Sequence, residues 1–196
     1  MKQINVIFPH QLFQESPIFE NKQPVFMVEE YLFFKQYSFH KQKIAFHRAT
    51  MKRYADFIKN DKKRELHYIE AIEPLSDIRL LIPELRRQGI THINYIDPTD
   101  NYLQKRLEKG LRDNDMTSTQ YDSPLFLNTK EDLSDFFRAD KKKYHQTTFY
   151  KEQRKQRRIL MDADGKPTGG KWTFDTENRK KYPANNLSGR AAHFQS

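Results

Sequence analysis

The chain has 196 residues, a formal net charge of +9 and no cysteine. The absence of cysteine excludes disulfides, thiolate zinc sites, iron–sulfur ligation and a cysteine nucleophile within this chain. No apolar run approaches the roughly 18 residues that a membrane-spanning helix needs, and the first residues follow a strand pattern without the apolar segment of a signal peptide. We therefore expect a cytoplasmic protein with no membrane segment.

The positive charge is concentrated near one end of the chain. Residues 1–137 contain 20 basic and 20 acidic side chains, whereas residues 138–181 carry +8 of the total +9. This division predicts a neutral globular domain over 1–137 and a basic, partly helical extension over 138–196 that connects to a further domain. We expect this extension to be the least ordered part of the isolated chain.

Short β-prone runs alternate with helix-period segments over the first 121 residues. Strands are predicted over 4–8, 24–29, 66–69, 91–96 and 117–121. Helices are predicted over 38–60, 75–88 and 100–112, with Pro83 indicating a break in or at the start of the second. Further helices are predicted over 134–138 and 144–161. The alternation predicts an α/β fold with a doubly wound, five-stranded parallel sheet, for which we expect the flavodoxin-type strand order.

Several familiar kinds of catalytic and nucleotide site are absent from the sequence. The six glycines are placed so that neither the dinucleotide fingerprint G-x-G-x-x-G nor the phosphate-binding loop can be written. The seven histidines lack metal-ligand spacing, and no nucleophile lies in a recognisable elbow. These observations argue against a dinucleotide dehydrogenase, a P-loop ATPase and a metal enzyme.

The ends of the predicted strands provide candidate ligand contacts. In a doubly wound sheet, ligands lie beyond the carboxyl ends of the strands, at the point where the strand order reverses. His10, Gln11 and Leu12 follow the first strand, Glu29 ends the second, and Pro98 follows the fourth. An acid at the position of Glu29 can accept a hydrogen bond from a ribose or ribityl hydroxyl, but the sequence alone favours a solvated strand-end acid.

An aromatic segment follows the second strand. Its rings either wall a flat heterocycle or cover the sheet or an oligomer contact. The rings belong to Tyr31, Phe33, Phe34, Tyr37 and Phe39.

The basic extension contains candidate contacts to a partner or to DNA. Cations interleaved with aromatic rings suit phosphates and unstacked bases. The same charges also suit a solvated face, or docking on an acidic surface of another domain. Docking is favoured because Trp172 and Phe174, which follow the cations, require burial. The candidate residues are Arg154, Lys155, Arg157, Arg158, Lys171, Trp172 and Arg179.

Motifs along most of the chain point to one family. They are Ile-Phe-Pro-His-Gln-Leu at 7–12, the blocks 40–46 and 51–55, Phe126-Leu127, and a long pattern over 149–179 that includes Gly-Gly-Lys-Trp at 169–172. Over about residues 3–183 the chain resembles the N-terminal domain of the bacterial photolyase-related proteins, which include the iron–sulfur cryptochromes and (6-4) photolyases.

This resemblance implies a function in DNA photorepair or blue-light sensing. In the family, the α/β domain holds an antenna chromophore, here 6,7-dimethyl-8-ribityllumazine or a flavin-like molecule, and a helical domain carries FAD and a [4Fe–4S] cluster. This chain has no counterpart of that helical domain, so we expect it to be a fragment or half of a split protein, inactive alone, with DNA contacted only through the two-domain protein. The alternative is a non-catalytic binding module whose basic tail docks on a helical partner domain or on DNA.

The resemblance also implies which residues contact the chromophore. His10, Gln11, Leu12 and Glu29 match the family's positions, although an aspartate is usual where this chain has His10. Phe46 matches as well, while His47 occupies a position that is typically apolar and faces the chromophore. No metal ligands or catalytic residues are implied for this chain.

Overall fold

The computed structural model describes residues 2–174. The chain divides into two compact units, Met1–Lys130 and Glu131–Ser196. The boundary between these units lies at 130/131. The predicted domain boundary lies further along the chain, at 137/138. Each unit is described by itself.

The first unit is built on a five-stranded sheet. Its strands are β1 (Lys2–Ile7), β2 (Val25–Val28), β3 (Leu66–Ile69), β4 (Ile90–Ile96) and β5 (Thr117–Tyr121). Every pairing is parallel, and the strand order is β3-β2-β1-β4-β5. The predicted doubly wound parallel α/β fold is confirmed, and each strand lies within two residues of its predicted bounds.

The flavodoxin-type strand order was wrong, because that order would place β3 inside the sheet and β2 at its edge. The observed order matches the first five strands of the Rossmann order 3-2-1-4-5-6. In β3, His67 is exposed and Tyr68 is half-buried, which suits an edge strand, whereas Val25 and Met27 of β2 are fully buried. The more apolar strand needs a neighbour on each side, so β2 lies between β1 and β3.

Four helices cover the two faces of this sheet. They are α1 (Tyr31–Phe34), α2 (Lys41–Asn60), α3 (Ile78–Arg87) and α4 (Asn101–Asp113). Helix α2 packs Met51 and Ile58 on one face, while α3 and α4 pack Ile82 and Leu107 on the other. The irregularity predicted for the third of these helices lies at its start, where Pro74–Ser76 forms a 3-10 turn, and Pro83 is accommodated inside α3.

The described part of the second unit is small and contains little regular structure. It comprises α5 (Lys130–Ser134, which begins at the last residue of the first unit), α6 (Gln146–Arg157) and a 3-10 turn, Thr168–Gly170. The helix predicted over 134–138 was wrong, because the chain turns there to pack Phe136 and Phe137 against Phe149. Helix α6 ends before the predicted residue 161, since Arg158 adopts a left-handed conformation with φ 52°.

Within residues 2–174, none of the helices is long and apolar enough to cross a membrane.

Candidate ligand site at the carboxyl edge of the sheet

The switch point of the sheet lies between β1 and β4. The chain proceeds from β1 through β2 to β3 on one side and then returns to place β4 on the other side of β1. A crevice forms where connections leave neighbouring strands in opposite directions. The segments that border it are 8–12 after β1 and 97–100 after β4.

Gln11 closes the bottom of this crevice. Its side chain is 1% exposed, its Nε2 donates to the carbonyl of Ile96 at 2.9 Å, and its Oε1 accepts from the amide of Phe8 at 3.3 Å. Both ends of the amide are therefore engaged with backbone. Gln11 cross-links the two loops that leave β1 and β4.

His10 precedes Gln11, and one of its two ring nitrogens is bonded to the loop after β4. Its Nε2 lies 2.7 Å from the carbonyl of Pro98, and its ring is 4.9 Å from that of Phe33. Burial lowers the pKa of the imidazole, against the opposing effect of the bond to Pro98. A neutral ring that donates from Nε2 leaves Nδ1 as an acceptor, and Nδ1 is buried with no partner among the described residues.

The remaining residues proposed from the family resemblance do not all gather here. His47 is close enough to affect the His10 pKa, and burial lowers its own pKa. Leu12 and Phe46 instead line a separate groove of about 640 Å³ along α2, with Tyr54 and Phe57. Phe46 is 70% exposed there.

Glu29 is fully buried and already has three partners. Its carboxylate accepts from the Tyr68 hydroxyl at 2.6 Å and from the Ala71 amide at 2.8 Å, and it pairs with Arg48 Nε at 3.2 Å. These bonds tie β2 to β3 and to α2. A ribityl hydroxyl would have to replace one of them to reach this carboxylate.

A cavity of about 370 Å³, hereafter the aromatic chamber, lies beyond the carboxyl ends of β2 and β4. Four rings line it, with polar groups from Gln36, Asp100 and Arg106. The rings of the aromatic segment therefore have two different roles. Phe34 is buried in the core, whereas Phe33, Tyr37 and Phe39 line the chamber. The four rings are those of Phe33, Tyr37, Phe39 and Tyr102.

Tyr102 and Arg106 are among the chamber residues that sequence reasoning did not find. Tyr102 and Arg106 are four residues apart and so lie on the same face of α4, which begins directly after the loop from β4. Asp100 is the N-terminal cap of α4. The four-residue spacing of Tyr102 and Arg106 after this cap was the sequence signal that could have identified them. Arg106 Nη2 donates to Gln36 Oε1 at 2.9 Å, while its Nη1 is buried with no hydrogen-bond partner within the part of the chain that is described.

Glu30, which precedes α1, is a second buried carboxylate close to the chamber. Burial raises its pKa to about 7, against the lowering effect of the amides of Leu32 and Ile78 and of the Arg106 charge. The Leu32 amide donates to its Oε2 at 2.5 Å. Glu30 thus caps α1 and contributes a group that titrates near neutrality beside Arg106.

Arg154 of the second unit is a structural clamp. It is 2% exposed, and its guanidinium donates to the carbonyls of Ile159 at 3.3 Å, Lys171 at 3.2 Å, Trp172 at 2.7 Å and also Leu160. The guanidinium therefore holds the extension's own backbone. A phosphate of DNA or a partner carboxylate cannot reach it, which corrects the contact role predicted for Arg154.

The other predicted contact residues of the extension differ in exposure. Lys155, Arg158 and Lys171 are exposed, whereas Arg157 is partly buried beside Gln153 and Asp132. Trp172 is partly buried, with Arg154 at 5.6 Å and Lys155 at 5.0 Å from its ring. Arg179 lies outside the described residues.

Among residues 2–174, no three histidine, aspartate or glutamate side chains are grouped to hold a metal ion. The sheet, its switch-point crevice and the chamber define a Rossmann-type α/β domain with an aromatic cavity at its carboxyl edge.

The chain belongs to the deoxyribodipyrimidine photo-lyase-related protein family, whose model matches residues 5–196. This match confirms the resemblance found in the sequence. The chain is also similar to the uncharacterized protein R852 of Acanthamoeba polyphaga mimivirus, with 33% identity over 193 residues that cover 93% of this chain and 96% of the viral protein.

Proposed function

We propose that the first unit is the antenna-type domain of a photolyase-related protein and that it binds a flat lumazine-like or flavin-like heterocycle in the aromatic chamber. The observation that carries this proposal is the chamber itself, an aromatic cavity at the carboxyl edge of a doubly wound sheet in a member of this family. The wider function is DNA photorepair or blue-light sensing.

The chamber has the size and chemistry that such a ligand requires. A volume of about 370 Å³ lies within the usual range for small-molecule sites. Rings of Phe33, Tyr37 and Tyr102 offer stacking and edge contacts to a heterocycle. The Gln36 amide, which also lines the chamber, can orient its carbonyl and imide groups.

In this proposal the chain contributes binding and positioning only. A bound heterocycle would absorb near-ultraviolet or blue light and transfer the excitation. The [4Fe–4S] cluster would belong to a separate helical domain, because this sequence contains no cysteine to hold a cluster, and the family resemblance assigns FAD to that same domain.

The test is a titration of the purified chain with 6,7-dimethyl-8-ribityllumazine and with riboflavin, followed by ligand fluorescence and near-ultraviolet absorbance. We expect saturable binding that Phe33→Leu and Tyr102→Ala each weaken by about two- to tenfold, the value of one aromatic contact. Phe46→Ala is the matched control, since Phe46 is exposed in the separate groove along α2.

A ligand in the aromatic chamber and a ligand in the groove along α2 should give opposite results in this experiment. Loss of binding in Phe46→Ala with no effect of Phe33→Leu would move the site to the groove along α2. Absence of binding by either ligand would contradict the proposed function.

A second candidate function, docking of the basic extension on an acidic surface of a helical partner, is favoured by the exposed apolar side chains of the second unit. Ile159 is 44% exposed and Leu160 is 53% exposed, although the Arg154 clamp holds the backbone of both. Apolar side chains fixed in exposed positions beside cations suit a protein surface better than a DNA backbone.

Retention on a DNA duplex tests this candidate. We expect little retention at physiological salt. Retention that falls with salt and is lost when Lys155, Arg158 and Lys171 become Gln would assign the extension to DNA instead. The control changes three exposed cations of the first unit to Gln, namely Lys41, Lys59 and Arg86.

A further inference from the structure

The aromatic chamber shares a wall with a second cavity. This basic groove, of about 590 Å³, lies between α3 and α4 and is lined in part by Arg79, Lys105 and Lys109. Tyr102 and Arg106 line both cavities. A ligand whose ring system lies in the chamber can therefore extend past these two side chains into the groove.

Two of the cations at this wall have charge available for a ligand. Lys109 pairs with Asp113, and Arg79 pairs with Asp77 at 2.5 Å. Lys105 is exposed, and among the described residues neither Lys105 nor Arg106 forms an ion pair with a carboxylate within 4.0 Å. Arg106 Nη1 is buried and has no hydrogen-bond partner in that same part of the chain, so the guanidinium retains an unsatisfied donor.

The acids near the wall are already engaged. Asp100 Oδ1 accepts the amide of Leu103 at 2.8 Å as the cap of α4, and Asp77 and Asp113 are in the ion pairs described above. Glu30 is buried, and its carboxylate accepts the amides of Leu32 and Ile78. An anion at the mouth of the basic groove would therefore meet Lys105 and Arg106 before any unpaired carboxylate of this group.

We propose that the chamber ligand carries an anionic tail, of the type of the phosphate of flavin mononucleotide, and that Arg106 and Lys105 bind this tail. The inference rests on the proposed function, because it assigns the tail of the same ligand. Arg106, which lines both cavities, supplies a guanidinium charge to the phosphate, and Lys105 adds a second, solvent-exposed charge.

Paired titrations with riboflavin and flavin mononucleotide, which differ only in the phosphate, test the inference. We expect flavin mononucleotide to bind at least about tenfold more tightly, the effect of a charge-assisted hydrogen bond, and this preference to shrink as salt increases. Arg106→Gln and Lys105→Gln should each reduce the preference while riboflavin affinity changes little. Inorganic phosphate should compete with flavin mononucleotide and not with riboflavin.

The controls separate charge from folding. Arg86→Gln removes an exposed cation from α3 that lines neither cavity, and it should leave the preference intact. Lys105 is exposed, so Lys105→Gln should fold like the parent chain, and Arg106→Lys should retain part of the preference. Equal affinities for both flavins would overturn the inference and leave the proposed function standing. Absence of binding by both flavins and by the lumazine would overturn both.

Discussion

At the scale of single residues, Glu30 shows how burial couples the ligand edge of the sheet to pH. Its carboxylate is fully buried, and its pKa is raised from 4.5 to about 7, chiefly by burial. The folded chain therefore binds the Glu30 proton more tightly than the unfolded chain does. The free energy of unfolding must fall as pH rises from the unfolded pKa through the folded pKa.

Glu30→Gln should remove this pH dependence. The rise of the Glu30 pKa from 4.5 to about 7 corresponds to about 3 kcal/mol of stability at low pH. All of this stabilisation is lost above the folded pKa. Between about pH 5 and about pH 8, the free energy of unfolding of the parent chain should therefore fall by up to about 3 kcal/mol more than that of the variant. Urea denaturation at several pH values measures the difference.

Glu15→Gln is the control for this measurement, because Glu15 is exposed. It should follow the pH dependence of the parent chain. Parallel curves for the parent chain and Glu30→Gln would show that Glu30 does not titrate in this range.

Arg154→Lys should loosen the extension without affecting the sheet. A lysine has three N–H donors and no planar fork, so it cannot reproduce the Arg154 bonds to four carbonyls. A hydrogen bond donated by a charged group contributes about 1.5–3 kcal/mol, so each bond that is lost should destabilise this segment. Protease cleavage within 159–172 should accelerate in this variant and not in Lys155→Gln, whose side chain is exposed. Equal cleavage rates in the two variants would contradict the clamp.

The same residue marks a limit of sequence reasoning. Arg154, Lys155, Arg157 and Arg158 look alike as a basic run, and nothing local distinguishes the one that is buried. The distinction arises only when the segment 159–172 folds back over α6. Likewise, the sequence placed candidate contacts after β1 and after β4, but it could not show that Gln11 bonds to Ile96 across these loops or that the aromatic chamber lies beside α4.

At the scale of elements, the strands were predictable because their apolar runs are short and bounded by turn residues. Their order was not deduced, since periodicity gives no pairing partner. In the structure, β3 has the exposure pattern of an edge strand, because His67 is exposed and Leu66 and Tyr68 are half-buried. Relative apolarity of β2 and β3 would have selected the Rossmann order over the flavodoxin order.

The contact between α3 and α4 depends on Gly110. A Cβ added at Gly110 would lie 2.7 Å from Ile82 Cδ1, and Ile82 is fully buried. Gly→Ala inside a helix normally stabilises by about 1 kcal/mol, but overpacking costs about 1–3 kcal/mol. Gly110→Ala should therefore lower the free energy of unfolding by about 1 kcal/mol.

Ile82→Val tests the cause, because valine lacks the Cδ1 atom. In that background Gly110→Ala should be neutral or should stabilise by up to about 1 kcal/mol. Urea denaturation of the four chains completes the cycle. An equal effect of Gly110→Ala in both backgrounds would exclude the Ile82 contact as the reason for this glycine.

At the scale of the whole molecule, the division of charge corresponds to a division of cores. The first unit buries two extensive apolar clusters around the sheet. Among residues 131–174 the buried residues are Phe136, Arg154 and Pro167, so the described part of the second unit is held by an aromatic cluster and a guanidinium clamp. Local stability follows the number of buried apolar contacts.

Hydrogen exchange should therefore separate the two units. Amides of β1 and β4, which surround fully buried Val6 and Ile93, should exchange only through global unfolding, and amides of α6 should exchange at a lower free energy. Arg154→Lys should reduce protection in α6 further and leave β1 and β4 unchanged. If α6 amides were instead as protected as those of β4, the extension would be part of the cooperative core, and its expected role as the least ordered segment of the isolated chain would be wrong.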